Sequence, residues 1–152
     1  MAESNKIWNQ IGNALIVVNY ESLDELKKYR DAIKEVGLNV HECYILAVVS
    51  SKREKKMLLE QRSVAFIAPS EIHFFRRMKN EQVRELLRRK FDLILTIGDV
   101  SRKIVRLAHK LDHKIGVAIN CTNFTQDVKL TTDANSPSHL INFAKQTLEK
   151  IE

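Results

Sequence analysis

The sequence has few of the residues that interrupt or cross-link a chain. Four glycines and two prolines occur in 152 residues, which excludes a collagen-like or low-complexity protein. Cys43 and Cys121 are the two cysteines, and no CxxC motif is present. A disulfide scaffold, a zinc ribbon and a thioredoxin-like motif are therefore not predicted. Both thiols are expected to be reduced and close to the core.

Long apolar runs are also missing. The segments ALIVV at 14–18 and ILAVV at 45–49 have the length of a strand, whereas a membrane helix needs about 18 apolar residues. The amino terminus, MAESNKIWNQ, has no charged segment followed by an apolar one, so no signal peptide is expected. We therefore expect a cytoplasmic protein without a membrane partner.

Apolar residues are nevertheless abundant, at 44% of the chain. This proportion is enough for a hydrophobic core without metals or disulfides. A chain of 152 residues also has the ordinary length of one domain. The sequence therefore predicts a single domain over residues 1–152.

Short apolar segments alternate with amphipathic ones. Ser22 and Glu25 form a capping box, and Leu26, Ile33 and Val36 continue one helical stripe. The predicted elements are strand 14–20, helix 22–36, strand 39–49, helix 50–61, strand 63–68, helix 81–90, strand 91–97, helix 101–112, strand 115–119, strand 128–132 and a final helix from Ser136. This alternation predicts a three-layer α/β fold, Rossmann-like or flavodoxin-like, with a mainly parallel sheet of about five to six strands.

Positive charge is concentrated in the middle of the chain. Residues 52–114 contain 17 Lys or Arg against 8 Asp or Glu, a balance of +9, whereas the whole chain has a net charge of +6. Such a distribution is typical of a protein with an anionic partner such as RNA or a ribonucleoprotein surface. The alternative is that these residues simply keep several helix faces solvated.

Two basic groups in this region are candidates for nucleic-acid contact. Phe74 and Phe75 precede cationic side chains, a combination that can stack bases and bind phosphates; their alternative roles are packing in the core or contacting a protein partner. The candidate nucleic-acid-binding residues are Arg76, Arg77 and Lys79, followed by Arg84, Arg88 and Arg89 on the helix over 81–90. Glu81 and Glu85 precede these helix cations by three to four residues and would partly neutralise them.

The segment Phe91–Lys103 is the second candidate site. It reads as a buried strand, a sharp turn and a capped helix start, and ligands of open α/β sheets bind outside the carboxyl ends of strands. Its candidate ligand-binding residues are Gly98, Asp99, Ser101, Arg102 and Lys103. A helix start attracts anions, but Asp99 would repel a phosphate, and neither GxxxxGK[ST] nor GxGxxG is present. Good turn chemistry explains the same residues without any ligand.

No catalytic or metal-binding constellation is found in the sequence. GxSxG and SxxK are absent. His109 and His113 are four residues apart but have no evident third ligand for zinc. The sequence therefore favours a protein that is not an enzyme and has no cofactor.

Three short motifs resemble those of a known family. They are Phe91-Asp92, Lys114-Ile115-Gly116 and Asp127-Val128, and they resemble a family of small uncharacterised cytosolic α/β proteins of Bacteroidetes bacteria. Leu111-Asp112-His113 departs from that pattern, because a serine–alanine–lysine run is expected there. The resemblance implies an α/β fold and a cytoplasmic location, but no activity.

Three functional hypotheses follow from the sequence. The first is a non-enzymatic domain that binds RNA or a ribosomal surface through the basic residues. The second is a domain that binds a small anionic ligand, a nucleotide or a sugar phosphate, at Gly98–Lys103. The third is a regulatory domain that binds a protein partner.

Overall fold

A computed structural model describes residues 8–56, 58, 63–72, 81–121 and 128–150. Six strands and five helices alternate along these residues. The strands are β1 (Ala14–Asn19), β2 (Cys43–Val48), β3 (Val64–Ile67), β4 (Phe91–Ile97), β5 (His113–Ile119) and β6 (Val128–Leu130). The helices are α1 (Leu23–Glu35), α2 (Lys52–Lys56), α3 (Glu81–Arg88), α4 (Arg102–His109) and α5 (Pro137–Glu149).

The six strands form one parallel sheet in the order β3-β2-β1-β4-β5-β6. The predicted three-layer α/β class is confirmed. The order is that of the Rossmann fold and not the 2-1-3-4-5 order of flavodoxin. β6 lies at one edge and runs parallel to β5, an orientation that the sequence left open.

The two faces of the sheet are covered by different helices. Along β1, Ile16 faces the layer that contains α1 and α5, and Leu15 faces the layer that contains α3 and α4. The central strands read as continuous apolar runs because side chains on both faces are buried, as parallel sheets require.

Helix caps form where the sequence predicts them. The Ser22 hydroxyl accepts a hydrogen bond from the amide of Glu25 at 3.1 Å, and α1 ends before Gly37, which has a φ of +87°. Ser136 caps α5, with Pro137 in the first turn. These local contacts satisfy amides that have no partner within their helix.

Several predicted boundaries need correction. β2 begins at Cys43 and not at Asn39, because Val40–Glu42 form a 3-10 turn in which the Asn39 side chain accepts from the amide of His41. The helix predicted over 50–61 is shorter: α2 ends at Lys56 and Leu58 lies in a bend. Met57 and residues 59–61 lie outside the described part of the chain.

The junction between α4 and β5 also differs from the prediction. α4 ends at His109, and β5 begins at His113 instead of Ile115. The amide of Phe91 donates to the carbonyl of Asp112 at 2.9 Å. This contact extends the pairing of β5 with β4 back to His113. Apolar periodicity does not reveal the extension, because it depends on a strand that is distant in the sequence.

None of the helices in the described ranges combines the length and the apolar character needed to cross a membrane.

Candidate functional site

The order of the strands reverses at the centre of the sheet. β1 and β4 are neighbours, but β1 continues to β2 on one side and β4 continues to β5 on the other. In open α/β sheets such a reversal creates a crevice outside the carboxyl ends of the two strands, where ligands usually bind. Asn19 ends β1, and Gly98 and Asp99 follow β4. Part of the predicted ligand-binding turn therefore lies at the switch point of the sheet.

A hydrogen bond connects the two strand ends across this crevice. The Asn19 side-chain amide donates to the carbonyl oxygen of Asp99 at 3.1 Å. Gly98 has a φ of +82°, and its amide donates to the carbonyl of Ile119 at 2.9 Å. The turn is thus fixed from two sides, and Asn19 and Asp99 line a cavity on each side of their bond.

The first cavity lies between the sheet and α1, and we call it the α1 cavity. It has a volume of about 260 Å³. Polar side chains line it from four parts of the chain; they include Glu21, Glu25, Tyr29, Asp99, Asn120 and Asn135. Three of the described lining residues carry carboxyl groups, and no described lining residue is Lys, Arg or His.

The carboxyl groups of Glu21 and Glu25 interact directly. Their side chains share a hydrogen bond, which together with burial and the negative charge of Glu21 raises the pKa of Glu25 to about 7, although Lys28 opposes the change. Burial, followed by the charges of Glu25 and Glu21, raises the pKa of the Tyr29 phenol. These effects are those of a partly buried site with excess negative charge.

The second cavity, of about 330 Å³, lies on the β2 side of the Asn19–Asp99 bond. Ser50, Glu54 and Ser101 are among its lining residues, and the Ser50 hydroxyl donates to the Glu54 carboxylate. The turn from β1 to α1, Asn19-Tyr20-Glu21-Ser22, contains no glycine. A pyrophosphate would have to approach that turn closely in a dinucleotide-binding fold, and in this chain it would also meet carboxylates.

The five residues predicted to bind a ligand are not all brought together. Gly98, Asp99 and Ser101 line the crevice. Arg102 and Lys103 are exposed on α4 and line neither cavity. Ser101 caps α4 by accepting from the amide of Ile104 at 3.4 Å, in agreement with the capped helix start that the sequence predicts, so this amide is not free for an anion.

Half of the predicted basic residues lie in the described part of the chain. Arg76, Arg77 and Lys79 lie outside the described residues, as do Phe74 and Phe75. Arg84 and Arg88 are exposed on α3.

Arg89 has a structural partner. Its guanidinium lies 2.7 Å from the Glu42 carboxylate and 4.7 Å from the centre of the Tyr44 ring, and the side chain is 29% exposed. Burial alone would lower the pKa of Arg89, but the hydrogen bond to Glu42 and nearby negative charges outweigh it and raise the pKa. Arg89 therefore joins α3 to β2, and is less available to a ligand than the sequence suggests.

α4 presents a row of cations that the sequence analysis did not single out. Its exposed side chains from 102 to 110 are Arg102, Lys103, Arg106, His109 and Lys110. The four Lys and Arg residues form no ion pair with any residue in the described ranges. We call these four residues, together with Arg84 and Arg88 of α3, the basic face, because α3 and α4 pack against the same side of the sheet.

The model of a protein family described as a family of unknown function, DUF6913, matches residues 1–151. The chain belongs to this family. The match confirms the expected relation to uncharacterised proteins, and assigns no activity. No curated protein matches the sequence.

One motif of this DUF6913 chain has a clear structural role. The Asp92 carboxylate accepts from the amides of Gly12 and Asn13 at 2.7 and 3.3 Å and lies 3.3 Å from the Lys114 ammonium. The Asn13 side chain in turn accepts from the amide of Asp92 at 2.7 Å. Asp92 therefore fixes the segment before β1 at the edge opposite the crevice, and contacts the lysine of a second motif.

The sequence analysis missed further residues of this DUF6913 chain. Glu25 and Tyr29 are four residues apart, which puts them on one side of α1, and Glu21 lies just before the cap of this helix. Nothing local shows that this side faces the switch point. Arg106 and Lys110 follow Arg102 at the same spacing and could have been found as a helix face. Among the described residues no three His, Cys, Asp or Glu side chains are grouped to bind a metal; the rings of His109 and His113 contact each other at a centroid distance of 5.1 Å.

Proposed function

We propose that this protein is a non-enzymatic domain that binds RNA through the basic face. The supporting observation is the exposed surface of α4, which consists of basic side chains. An anionic polymer gains affinity by exchanging its counterions for such cations. RNA as a partner, including ribosomal RNA, agrees with the cytoplasmic location and with the absence of a cofactor that the sequence predicts.

The arrangement of the cations on α4 suits a polyanion. With about 100° between successive residues, Arg102, Lys103, Arg106 and Lys110 fall within an arc of about 100°. The row extends over about 12 Å at 1.5 Å per residue, a length that can contact several phosphates of one strand. Arg84 and Arg88 extend the surface to α3, although Arg88 lies 3.8 Å from Glu85.

The opposite layer of the protein has no comparable row among its described residues. The exposed charged residues of α1 are of mixed sign, three acidic and three basic: Asp24, Lys27, Lys28, Asp31, Lys34 and Glu35. Lys28 lies 3.6 Å from Asp24. A solvated helix has this mixed pattern, so the uniform sign on α4 favours a partner over simple solubility.

Charge reversal at Arg102 and Arg106 tests the proposal. Fluorescence anisotropy would measure binding of mixed-sequence single-stranded RNA at about 50 and about 200 mM salt. The unchanged protein should bind more weakly at the higher salt. The logarithm of the association constant should fall against the logarithm of the salt concentration with a slope of about −0.7 for each phosphate contacted. Arg102→Glu with Arg106→Glu should weaken binding at the lower salt at least about tenfold.

Lys27→Glu with Lys34→Glu is the matched control. It changes the net charge equally, on exposed positions of the other layer. This variant should retain most of the affinity. Equal losses in both variants, or no RNA binding at about 50 mM salt, would overturn the proposal.

A nucleotide or sugar phosphate at Gly98–Lys103 is the second candidate. It is favoured by the position of Gly98, Asp99 and Ser101 at the switch point. The carboxylates around both cavities oppose it, since they would repel a phosphate. A thermal shift with nucleotides that Arg102→Ala and Lys103→Ala abolish would support this candidate, and a ligand panel without any shift would argue against it.

A further inference from the structure

The α1 cavity has the opposite charge to the basic face. Its described lining contains the carboxyl groups of Glu21, Glu25 and Asp99, and no cationic side chain. Leu140 of α5 closes part of its apolar wall. The cavity belongs to the layer of α1 and α5, whereas the basic face belongs to the layer of α3 and α4. The α1 cavity and the basic face therefore lie in different layers and can be altered by separate substitutions.

Tyr29 provides a second sign of a ligand in this cavity. The residue is 4% exposed and lines the cavity. Its phenol forms no hydrogen bond with any residue in the described part of the chain. Its oxygen is not among the buried side-chain atoms that lack a partner, so it is open to the cavity and can accept a hydrogen bond from a ligand. It also lies close enough to Glu21 and Glu25 for their charges to affect it.

We propose that the α1 cavity binds a small molecule that carries a protonated amine, with the ammonium group between the carboxylates of Glu21 and Glu25. An ammonium group donates three hydrogen bonds and accepts none. Two carboxylates and the oxygen of the Tyr29 phenol supply the acceptors. The ammonium replaces the proton that Glu21 and Glu25 otherwise share.

Other ligand classes fit the lining less well. An anion would meet three carboxyl groups and no cation. The described residues contain no group of three His, Cys, Asp or Glu side chains that could hold a metal ion. A neutral polyol could form hydrogen bonds, but it would leave the negative charge of the carboxylates without compensation. A volume of about 260 Å³ limits the ligand to a small molecule, since cavities for larger ligands measure about 300–1,000 Å³.

Binding should depend on pH in a defined direction. The cation competes with the shared proton, and the pKa of Glu25 is raised to about 7. Lys28 on α1 is the other charged group that acts on Glu25, and Tyr29 and Asp99 are the other titratable residues that line the cavity. Because the carboxyl pair loses its proton as pH rises through about 7, affinity for the amine should increase from about pH 6 to about pH 8.

The test is an NMR titration of the full chain with 1,4-diaminobutane. Amide signals from residues 19–25, 97–99 and 135 should shift, with a dissociation constant at least about threefold lower at about pH 8 than at about pH 6. 1,4-Butanediol has the same length without charge and should cause no comparable shift. The proposal fails if the diamine perturbs none of these amides, or if the diol perturbs them equally.

Three variants distinguish this site from general attraction of a cation. Glu21→Gln and Glu25→Gln should each weaken diamine binding about tenfold, because each removes a charged acceptor. Tyr29→Phe keeps the buried ring but removes the hydroxyl, and should weaken diamine binding about threefold. Asp31→Asn removes an exposed carboxylate from the same helix and should leave binding unchanged.

Equal affinity in Glu25→Gln and Asp31→Asn would overturn the assignment. The Arg102→Glu with Arg106→Glu variant should bind the diamine normally, so a failure of RNA binding and a failure of amine binding are separate results.

Discussion

Thr96 carries a polar group that the core does not satisfy. The residue is fully buried in β4, and its hydroxyl oxygen has no hydrogen-bond partner among the described residues. Its neighbours across the sheet are Val17 and Ala118. The hydroxyl group therefore lost its water on folding without gaining a hydrogen bond in return.

Replacing Thr96 by Val should stabilise the protein. Val has nearly the same shape and carries a methyl group in place of the hydroxyl. We expect the free energy of unfolding to rise by about 1 kcal/mol, because the desolvation cost of the hydroxyl disappears. Urea-induced unfolding followed by circular dichroism measures this change.

Thr132→Val is the matched control for that prediction. The Thr132 hydroxyl accepts from the amide of Ala134 at 3.2 Å, so its loss should lower stability by about 1 kcal/mol. If Thr96→Val destabilises the protein as much as Thr132→Val does, the Thr96 hydroxyl has a favourable interaction and its desolvation is not a net cost.

At the scale of elements, the start of α1 combines two opposing electrostatic effects. Its positive dipole end favours Asp24 and Glu25, and Ser22 caps the same turn. Glu21 and Glu25, however, repel each other unless they share a proton. The helix start is therefore well capped but carries a charge that changes near neutral pH.

This charge predicts how stability depends on pH. The pKa of Glu25 is about 7 in the folded protein and 4.5 in its ordinary state, so between these values the folded state binds more protons than the unfolded state. The stabilisation that the folded protein gains from protonated Glu25 is fully present below about pH 4.5 and is lost as pH rises through about 7. Solvent screening keeps it on the order of 1 kcal/mol.

Unfolding curves of Glu25→Gln measure this contribution. Relative to the unchanged protein, the variant should gain stability between about pH 5 and about pH 8, because glutamine can still donate to Glu21 and cannot become charged. Asp31→Asn, on the exposed side of α1, should show no such trend. A constant difference between Glu25→Gln and the unchanged protein over this range contradicts the prediction.

At the scale of the whole molecule, stability should decrease from the centre of the sheet to its edge. β1 and β4 each pair on both sides, and five of the six residues of β1 are buried. β6 has three residues and pairs with β5 alone among the described strands. Local opening is easiest where few buried contacts are lost.

Hydrogen exchange under native conditions tests this order. The amides of Ile16 and Leu95 should exchange only through global unfolding. Those of Val128–Leu130 should exchange through local opening. The free energy of this opening should be lower by several kcal/mol, about half of the global free energy of unfolding or less. Equal protection of β6 and β1 would show that the edge unfolds together with the centre.

The sequence alone determined the class of fold and most of its elements. Apolar runs, helical stripes and caps such as Ser22 and Ser136 depend on neighbours within a few residues, so they can be read directly from the chain. The row of cations on α4 belongs to the same category, since it follows from helical spacing. Errors remained at ends such as Asn39 and His113, where turns and distant pairings decide the boundary.

Only the tertiary structure decided the strand order, the position of the switch point and the partners of individual side chains. Arg89 faces Glu42 from 47 residues away, a pairing that spacing along the chain does not predict. Glu21, Glu25 and Tyr29 face Asp99 and Asn135 because β1 and β4 are adjacent in the sheet. Such contacts depend on how the elements pack and not on spacing along the chain, and for this reason the sequence predicted a turn with a ligand but not the acidic cavity beside it.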